Sequence, residues 1–435
     1  MPHELDDLLL LSSQPDFRRR WEGLRAKLQL DVVSSGIGPE RKLACEVLAD
    51  VQKRQDAAVA QYTEKFDHVA LTPEQFRVRN DELAQAHREI DPGLLKSIRQ
   101  AIENVRKYQS EIFIGNRKHP GLRYTPIRRV GVCVPGASAP LPSTVIMTVV
   151  PAQVAGVQEI AVVSPPRHQG SIHPVILAVC HELGVNEVYR IGGAQAVAAL
   201  AVGTPTIARV DKIVGPGNRW VQAAKKEVFG LVGIDSLAGP SEVLIVANDE
   251  ANPAWVAADM LSQAEHNPGS ALALTDSAPL AHKILEELEK QVGELSRAGE
   301  TLGCLKRYSG VVVFDNMEEV IQGANDFASE HLEVQCGARS REVAERIVSA
   351  GAIFIGPYTP VAVGDYWAGP SHTLPTGMTA RFSSALTSND FIKSSSIVEY
   401  TGEQLAAAAD DLVRLAETEG LDAHARSVKI RRPGR

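Results

Sequence analysis

The sequence predicts an α/β fold built on parallel sheets, and three features carry that prediction. Short apolar runs that read as strands alternate with stretches of helical spacing from about residue 128 onwards. Glycine-bearing turns, Pro135-Gly136-Ala137, Gly192-Gly193-Ala194-Gln195 and Gly215-Pro216-Gly217-Asn218, punctuate the first such stretch. A second stretch of the same texture then follows the first. Strands separated by helices of this length require parallel crossovers, so each sheet has both faces covered.

Taken in order, residues from about Arg41 to Gln109 are rich in Ala, Leu, Glu, Gln and Lys at helical spacing, broken at Pro73 and at Asp91-Pro92-Gly93. After the apolar run ending in Val134-Pro135-Gly136, strands are predicted at Glu159 to Val163, Glu187 to Ile191 and Asp211 to Val214. Helices are predicted between them at Ser143 to Gly156, His173 to Leu183 and Ala194 to Val202. The second stretch gives strands at Val243 to Val246, Ala271 to Leu274, Gly310 to Phe314 and Ala352 to Ile355. Its helices fall near Pro253 to His266, Pro279 to Leu295, Met317 to Ala328 and Arg339 to Ala350. From Pro357 to about Ser396 the chain is rich in Gly, Pro, Ser and Thr, too long for an idle loop, and Gly402 to Ala425 reads as a terminal helix. The implied organisation is a mainly helical region over 1–127, α/β domains over 128–238 and 239–380, and a C-terminal tail over 381–435. No residue-level repeat relates the two halves.

Composition narrows the function classes. With 44% hydrophobic and 23% charged residues the chain is an ordinary globular one, and 435 residues suggest more than one core. A formal charge of −8 argues against a nucleic-acid partner, since the basic stretches are no longer than Arg18-Arg19-Arg20 and Arg431-Arg432. Leu8 to Leu11 is too short and too acidic in its surroundings for a signal peptide, and no apolar run approaches the roughly 18 residues of a membrane helix. A cytoplasmic protein without a membrane partner is expected. The five cysteines are scattered and form no C-x-x-C pair, which reads as reduced thiols rather than a disulfide frame or a thiolate zinc site.

Gln263 and His266, three apart on a predicted helix, place an amide oxygen and an imidazole on one face. Asp365 in the long loop and His424 in the terminal helix could complete an O, N, O, N set suited to zinc or a similar divalent ion. Such spacing alone equally describes a solvated helix surface. Glu330-His331, at the junction where a helix gives way to Leu332-Glu333-Val334, joins a carboxylate to an imidazole as an acid–base pair exposed at an element end, or else forms a plain turn. Ser241, just before a strand, presents a hydroxyl or a cap. The glycine turns offer N–H groups to a phosphate, or are simply tight connections, and none supplies G-x-G-x-x-G. No cysteine has a neighbouring base, which disfavours a thiohemiacetal route.

In this order the motifs resemble those of histidinol dehydrogenases from about Arg41 to His424: Ala139-Pro140-Leu141-Pro142-Ser143-Thr144-Val145, Gly192-Gly193-Ala194-Gln195-Ala196, Gly215-Pro216-Gly217-Asn218, Gly239-Pro240-Ser241-Glu242, Gln263-Ala264-Glu265-His266, Ser329-Glu330-His331-Leu332 and Ala368-Gly369-Pro370-Ser371-His372 through Gly377. The resemblance implies two tandem incomplete Rossmann-like domains, NAD on the first and zinc on the second, within a homodimer whose tails contact the partner. It implies Gln263, His266, Asp365 and His424 as ligands of one zinc per subunit, with His424 reaching across the interface. Glu330 and His331 are then the acid–base pair, Ser241, His372 and Glu419 join them and the ligands in holding substrate, and Cys133, Gln195 and Asn218 contact NAD. The family often has Tyr and a second Gly where Cys133 and Ala137 stand, and a thiol cannot stack as a phenol ring does. The implied reaction is oxidation of L-histidinol to L-histidine through an aldehyde, with two NAD and one water. The alternatives are a relative oxidising another small polar alcohol, such as a sulfonated diol, and a metal-stabilised binding protein without turnover.

Overall fold

A computed structural model describes residues 5–34, 38–136, 140–237, 239–266 and 269–432, with the backbone alone for 28–34. Ala137 and Ala139 of the first glycine turn, and Asn267 and Pro268 after the Gln263 helix, lie outside the described residues. The chain divides into a large unit, Met1–Ile114 with Pro126–Ile392, and a small one, Gly115–Thr125 with Lys393–Arg435.

The large unit holds two sheets in which every strand pair is parallel. The first contains β1 (Arg129–Cys133), β2 (Glu159–Val163), β3 (Glu187–Tyr189), β4 (Lys212–Val214) and β5 (Gly233–Ile234), ordered β3-β2-β1-β4-β5. Helices α1 (Pro142–Val154), α2 (Pro174–Glu182), α3 (Gly193–Val202) and α4 (Arg219–Val228) make its crossovers. The second contains β6 (Ser241–Ala247), β7 (Gly269–Thr275), β8 (Gly310–Val313), β9 (His331–Gln335) and β10 (Ala352–Ile355), ordered β8-β7-β6-β9-β10, with Leu9–Leu11 added beyond β8. Around it lie α5 (Pro253–Ala264), α6 (Ala278–Val292), α7 (Met317–Phe327) and α8 (Val361–Tyr366). Both sheets share the order of a doubly wound fold but stop at five such strands, so each is an incomplete Rossmann-like sheet.

Alternate residues on each strand feed opposite faces, and both faces are apolar because both are covered. Val130, Val132 and Val162 join α1 and α2 in one core, whereas Ala161 and Val163 join α3, α4 and the helices Pro39–Arg54 and Asp56–Asp67 in another. In the second sheet Val243 and Ile245 pack with α5 and α6, and Leu244 and Val246 with α7 and Trp21.

Several elements depart from the sequence reading. The helix at Gln263 ends at Ala264 instead of His266, with Glu265 as its cap. The predicted helix Arg339 to Ala350 contracts to Ser340–Glu345. Leu9–Leu11 is an edge strand that the sequence reading did not separate from the mainly helical region over 1–127, because three residues give too short a period to read, whereas the helix Phe17–Ser34 falls within that region. The loop after Pro357 is structured in part: α8 carries Asp365, so that residue sits on a helix instead of in a loop. The small unit pairs Leu122–Pro126 with Ile392–Ser396, and its terminal helix is two, Gly402–Thr418 and Asp422–Lys429. Gly420 at φ +73 makes the break, a conformation that favours glycine. Among the described residues no helix is long and apolar enough to cross a membrane.

One buried ion pair holds the turn after β4. Lys225 of α4 is fully buried beside Asp235, and its ammonium also donates to the carbonyls of Gly215 (3.0 Å) and Ser236 (2.9 Å). Asp235 in turn accepts from the Gly215 N–H at 2.7 Å. Lys225→Met strands a buried carboxylate, so urea denaturation should show a loss of about 3–5 kcal/mol.

Candidate active site

The chemistry-bearing residues gather at the amino ends of β6 and β9. Helix α7 stops where Ala328 turns left-handed (φ 52), and the chain then enters the sheet at His331. The N–H groups of Gly351 and Ala352 hold the carbonyls of Ser329 and Glu330, each at 2.9 Å, so the backbone here is fixed from the neighbouring strand. Glu330 and His331 are therefore 6% and 2% exposed, not displayed at an element end as their place in the sequence suggests.

Glu330 accepts two bonds on Oε2, from the Ser241 hydroxyl (2.8 Å) and the Glu242 N–H (2.7 Å). His331 Nδ1 lies 2.9 Å from the Glu242 carbonyl oxygen. A carbonyl only accepts, so Nδ1 carries the proton and the neutral ring keeps its lone pair on Nε2. That Nε2 is buried without a hydrogen-bond partner and sits 3.5 Å from Asp365 Oδ1. Burial pushes the imidazole pKa down, but the Glu330 and Asp365 carboxylates outweigh it and hold the pKa well above the usual value.

Gln263 and Asp365 supply two further oxygen donors. Gln263 is 1% exposed, and its Oε1 has no partner. His266, exposed in the turn beyond α5, donates its N–H to the Gln263 carbonyl (3.2 Å). Gly269 permits this turn, since a Cβ there would stand 2.0 Å from that same carbonyl oxygen. Burial would raise the Asp365 pKa, but the adjacent His331 imidazole, followed by His372 and His266, brings it below the usual carboxylate value. An orphaned amide oxygen, together with a carboxylate that faces three imidazoles, makes up a donor set whose chemistry fits zinc or a similar divalent ion. Among the described residues no three His, Cys, Asp or Glu side chains form a metal cluster, so a site here draws on the Gln263 amide. His372 Nε2 lies 3.2 Å from Ser143 Oγ at the start of α1, and burial lowers its pKa. Glu419 and His424 belong to the small unit, where both are exposed.

Sequence reading passed over Glu242. Its carboxyl accepts from the Gly377 N–H at 2.8 Å and so anchors the loop that bears His372. Burial, reinforced by the neighbouring Glu330 charge, raises its pKa to about 8. Also missed were Glu333 and Gln335, which share a strand face with His331; the alternation His331-Leu332-Glu333-Val334-Gln335 was the available signal.

At the carboxyl ends of β1 and β4, where the strand order reverses, lies a cavity of about 330 Å³. Cys133, Gln195 and Asn218 all line it, together with Phe66, Arg167 and Trp220. The Asn218 side-chain oxygen accepts from the Trp220 and Val221 N–H groups at 3.1 and 3.2 Å, capping α4. Gln195 is fully buried with Oε1 unpartnered, and α3 and α4 both begin at the cavity. The start of α3, which has no side-chain cap, offers N–H groups suited to a phosphate of a dinucleotide. Cys133 is 5% exposed, and burial pushes its thiol to about 12. All five thiols are held above their usual value, so none is an activated nucleophile.

Glu242 generates a prediction. Its folded pKa near 8 exceeds the ordinary glutamate value of 4.5, so its contribution to stability is full below about pH 4.5 and is lost as pH rises to about 8. In thermal melts of metal-free protein, the parent should lose up to about 1.4 kcal/mol per pH unit across that window relative to Glu242→Gln. Parallel pH profiles for the two would mean that the carboxyl is not held neutral.

Comparison with known proteins follows the same lines. The family model described as histidinol dehydrogenase matches residues 40–432. A histidinol dehydrogenase of Rhodopirellula baltica is 45% identical over 412 residues, 93% of this chain and 89% of its own length. That of a Synechococcus strain is 46% identical over 394 residues, 89% and 91% of the two chains. The crystal structure of histidinol dehydrogenase from Elizabethkingia anophelis superposes with a TM-score of 0.88 at 32% identity, covering 99% of this chain and 98% of that one. On this similarity, spanning the whole arrangement of sheets and site, the chain belongs to the histidinol dehydrogenase family.

Proposed function

We propose that this protein oxidises L-histidinol to L-histidine through L-histidinal, using two NAD and one water, with one zinc per subunit. The observation that carries the reading is His331, whose Nδ1–H is committed to the Glu242 carbonyl while Nε2 remains free beside Asp365. Gln263, His266 and Asp365 are the residues that would hold zinc, with His424 of the partner subunit as the fourth ligand. Cys133, Gln195 and Asn218 would contact NAD, Cys133 by edge contact without the stacking a ring provides. When bound, zinc would supply a Lewis-acid anchor for the substrate's imidazole and amine, and NAD would supply the hydride acceptor.

The chain's own residues then divide the work. Ser241, His372 and Glu419 orient the substrate, converting an encounter into a fixed geometry. His331 Nε2 takes the alcohol proton as hydride leaves the carbon, which yields the aldehyde. Glu330, fixed through Oε2 by Ser241 and Glu242, takes a proton from water as its oxygen adds to that aldehyde. The protonated His331 returns its proton to the carbonyl oxygen to give the neutral hydrate, and the freed imidazole then takes a hydroxyl proton of the hydrate as the second hydride leaves the carbon, so that the acid results. Support for a homodimer comes from apolar side chains exposed on the small unit, namely Val398 at 82%, Tyr400 at 62%, Leu415 at 65% and Ile430 at 75%.

Metal-replete protein given L-histidinol and NAD should form two NADH per substrate consumed, lose activity to a chelator and regain it with zinc. Absence of NADH in zinc-loaded protein would transfer the proposal to another small polar alcohol. His331→Asn should slow both oxidations by about 10²–10⁴-fold, whereas Glu330→Gln should chiefly slow aldehyde to acid. A Glu330→Gln variant that oxidised histidinal at the parent rate would overturn its role. Gel filtration with light scattering should give twice the chain mass.

A further inference from the structure

Behind the site, a second pair of acidic side chains has no part in the mechanism above. Glu333 is 1% exposed on β9, two residues beyond His331 and on the same strand face. Asp259 projects from α5 one turn before Gln263. Their carboxyl groups stand side by side, since both lie within hydrogen-bond distance of one amide nitrogen, that of Gln335. Two carboxylates in such contact cannot both be ionised, so one proton lies between them. The Gln335 amide closes the cluster, with Nε2 donating to Asp259 Oδ2 at 3.0 Å and to Glu333 Oε2 at 3.1 Å. The other Glu333 oxygen, Oε1, accepts the N–H of Val361 at 3.0 Å.

That last bond matters because Val361 opens α8, the helix that carries Asp365. The residue before it, Pro360, supplies no side-chain cap, so Glu333 satisfies an N–H that would otherwise be unpaired in the interior. The cluster therefore touches α5, β9 and α8 at once. Those three elements carry Gln263, the Glu330-His331 pair and Asp365 respectively. No lysine or arginine among the described residues forms an ion pair with either carboxyl. Burial raises the pKa of both, and the Asp259 charge raises that of Glu333 further.

We propose that Asp259 and Glu333 are positioning residues, a proton-sharing carboxyl brace, completed by Gln335, that sets the spacing of the elements bearing Gln263 and Asp365. The inference rests on the reading that those two residues hold zinc. It assigns the brace no contact with substrate, cofactor or metal. Asp259→Asn keeps every bond, since the amide oxygen accepts from Gln335 and the amide nitrogen donates to an ionised Glu333. A fixed amide proton then replaces the shared one, and the pair keeps its single negative charge. Asp259→Leu has similar bulk and removes the bonds.

The test uses full-length protein, zinc ion and a competing chromophoric chelator, with melting temperatures of the zinc-free forms alongside. Asp259→Leu should weaken zinc binding by about 10–100-fold, while Asp259→Asn stays within about threefold of the parent. A role limited to stability would lower the zinc-free melting temperature and leave the zinc affinity of folded protein unchanged. Zinc binding by Asp259→Leu at the parent's affinity overturns the proposal. Equal weakening by Leu and Asn overturns it too. Should Asp259→Leu fail to fold, Asp259→Asn decides alone, with parent-like affinity supporting the brace and a tenfold loss refuting it. A parent that binds no zinc refutes the ligand reading itself, and the brace with it.

Discussion

The parallel register that sets His331 opposite Val243 on one side and Ala352 on the other determines where each reactive atom lies. Because β6 and β9 run together in that register, the first N–H and carbonyl of β6 stand beside the first side chains of β9. Glu330 meets the Glu242 N–H, and His331 meets the Glu242 carbonyl. One residue, Glu242, thus holds a carboxylate with its N–H and an imidazole with its carbonyl. A slip of one residue would turn His331, Glu333 and Gln335 to the face where Leu332 and Val334 now pack. The apolar core on that face fixes the register, and the register fixes the tautomer of the base.

Charge is the second constraint. Glu242, Asp259, Glu330, Glu333 and Asp365 crowd a small volume, and the ion-pair partners they have among the described residues are imidazole nitrogens of His331. Several like charges cannot share a poorly solvated region unless protons or cations compensate them. Glu242 and Glu333 respond by keeping protons, with pKa values pushed up. Asp365 stays ionised because three histidines face it. The two groups therefore sort by neighbour more than by burial alone. A carboxylate that keeps its charge at Asp365 attracts a divalent cation to that point by Coulomb force.

Much of this was legible in the chain. Strand and helix alternation gave the parallel architecture, because apolar runs and helix-period runs differ over ten or more residues. The motifs placed Glu330, His331, Gln263 and Asp365 as candidates, and in the structure His331 lies 3.4 Å from Glu330 and 3.5 Å from Asp365. Burial of Glu330 and His331 was not legible, since it arises from backbone bonds to Gly351 and Ala352, some twenty residues on. Glu242 was hidden for a similar reason: its partner Gly377 is 135 residues away. Nor could spacing show that α5 stops before His266, because the cap depends on a turn closed at Gly269.

The two sheets have the same strand order yet use opposite ends. Cys133, Gly192 and Asn218 surround the cavity at the carboxyl ends of the first sheet, the usual place where strand order reverses. Ser241, Glu330 and His331 stand at the amino ends of the second. What joins the opposed ends is the segment after α8. Ser371 Oγ donates to the Met147 carbonyl at 3.0 Å, His372 meets Ser143 at 3.2 Å, and Gly377 returns to Glu242 at 2.8 Å. A single loop is therefore tied at one end to α1, which follows directly from the cavity's first strand, and at the other to the peptide that orients the base. Glycine at 369, with φ +108 and a Cβ position 2.6 Å from Tyr108, keeps that loop pressed against the helix Pro92–Glu111, so its path leaves little slack.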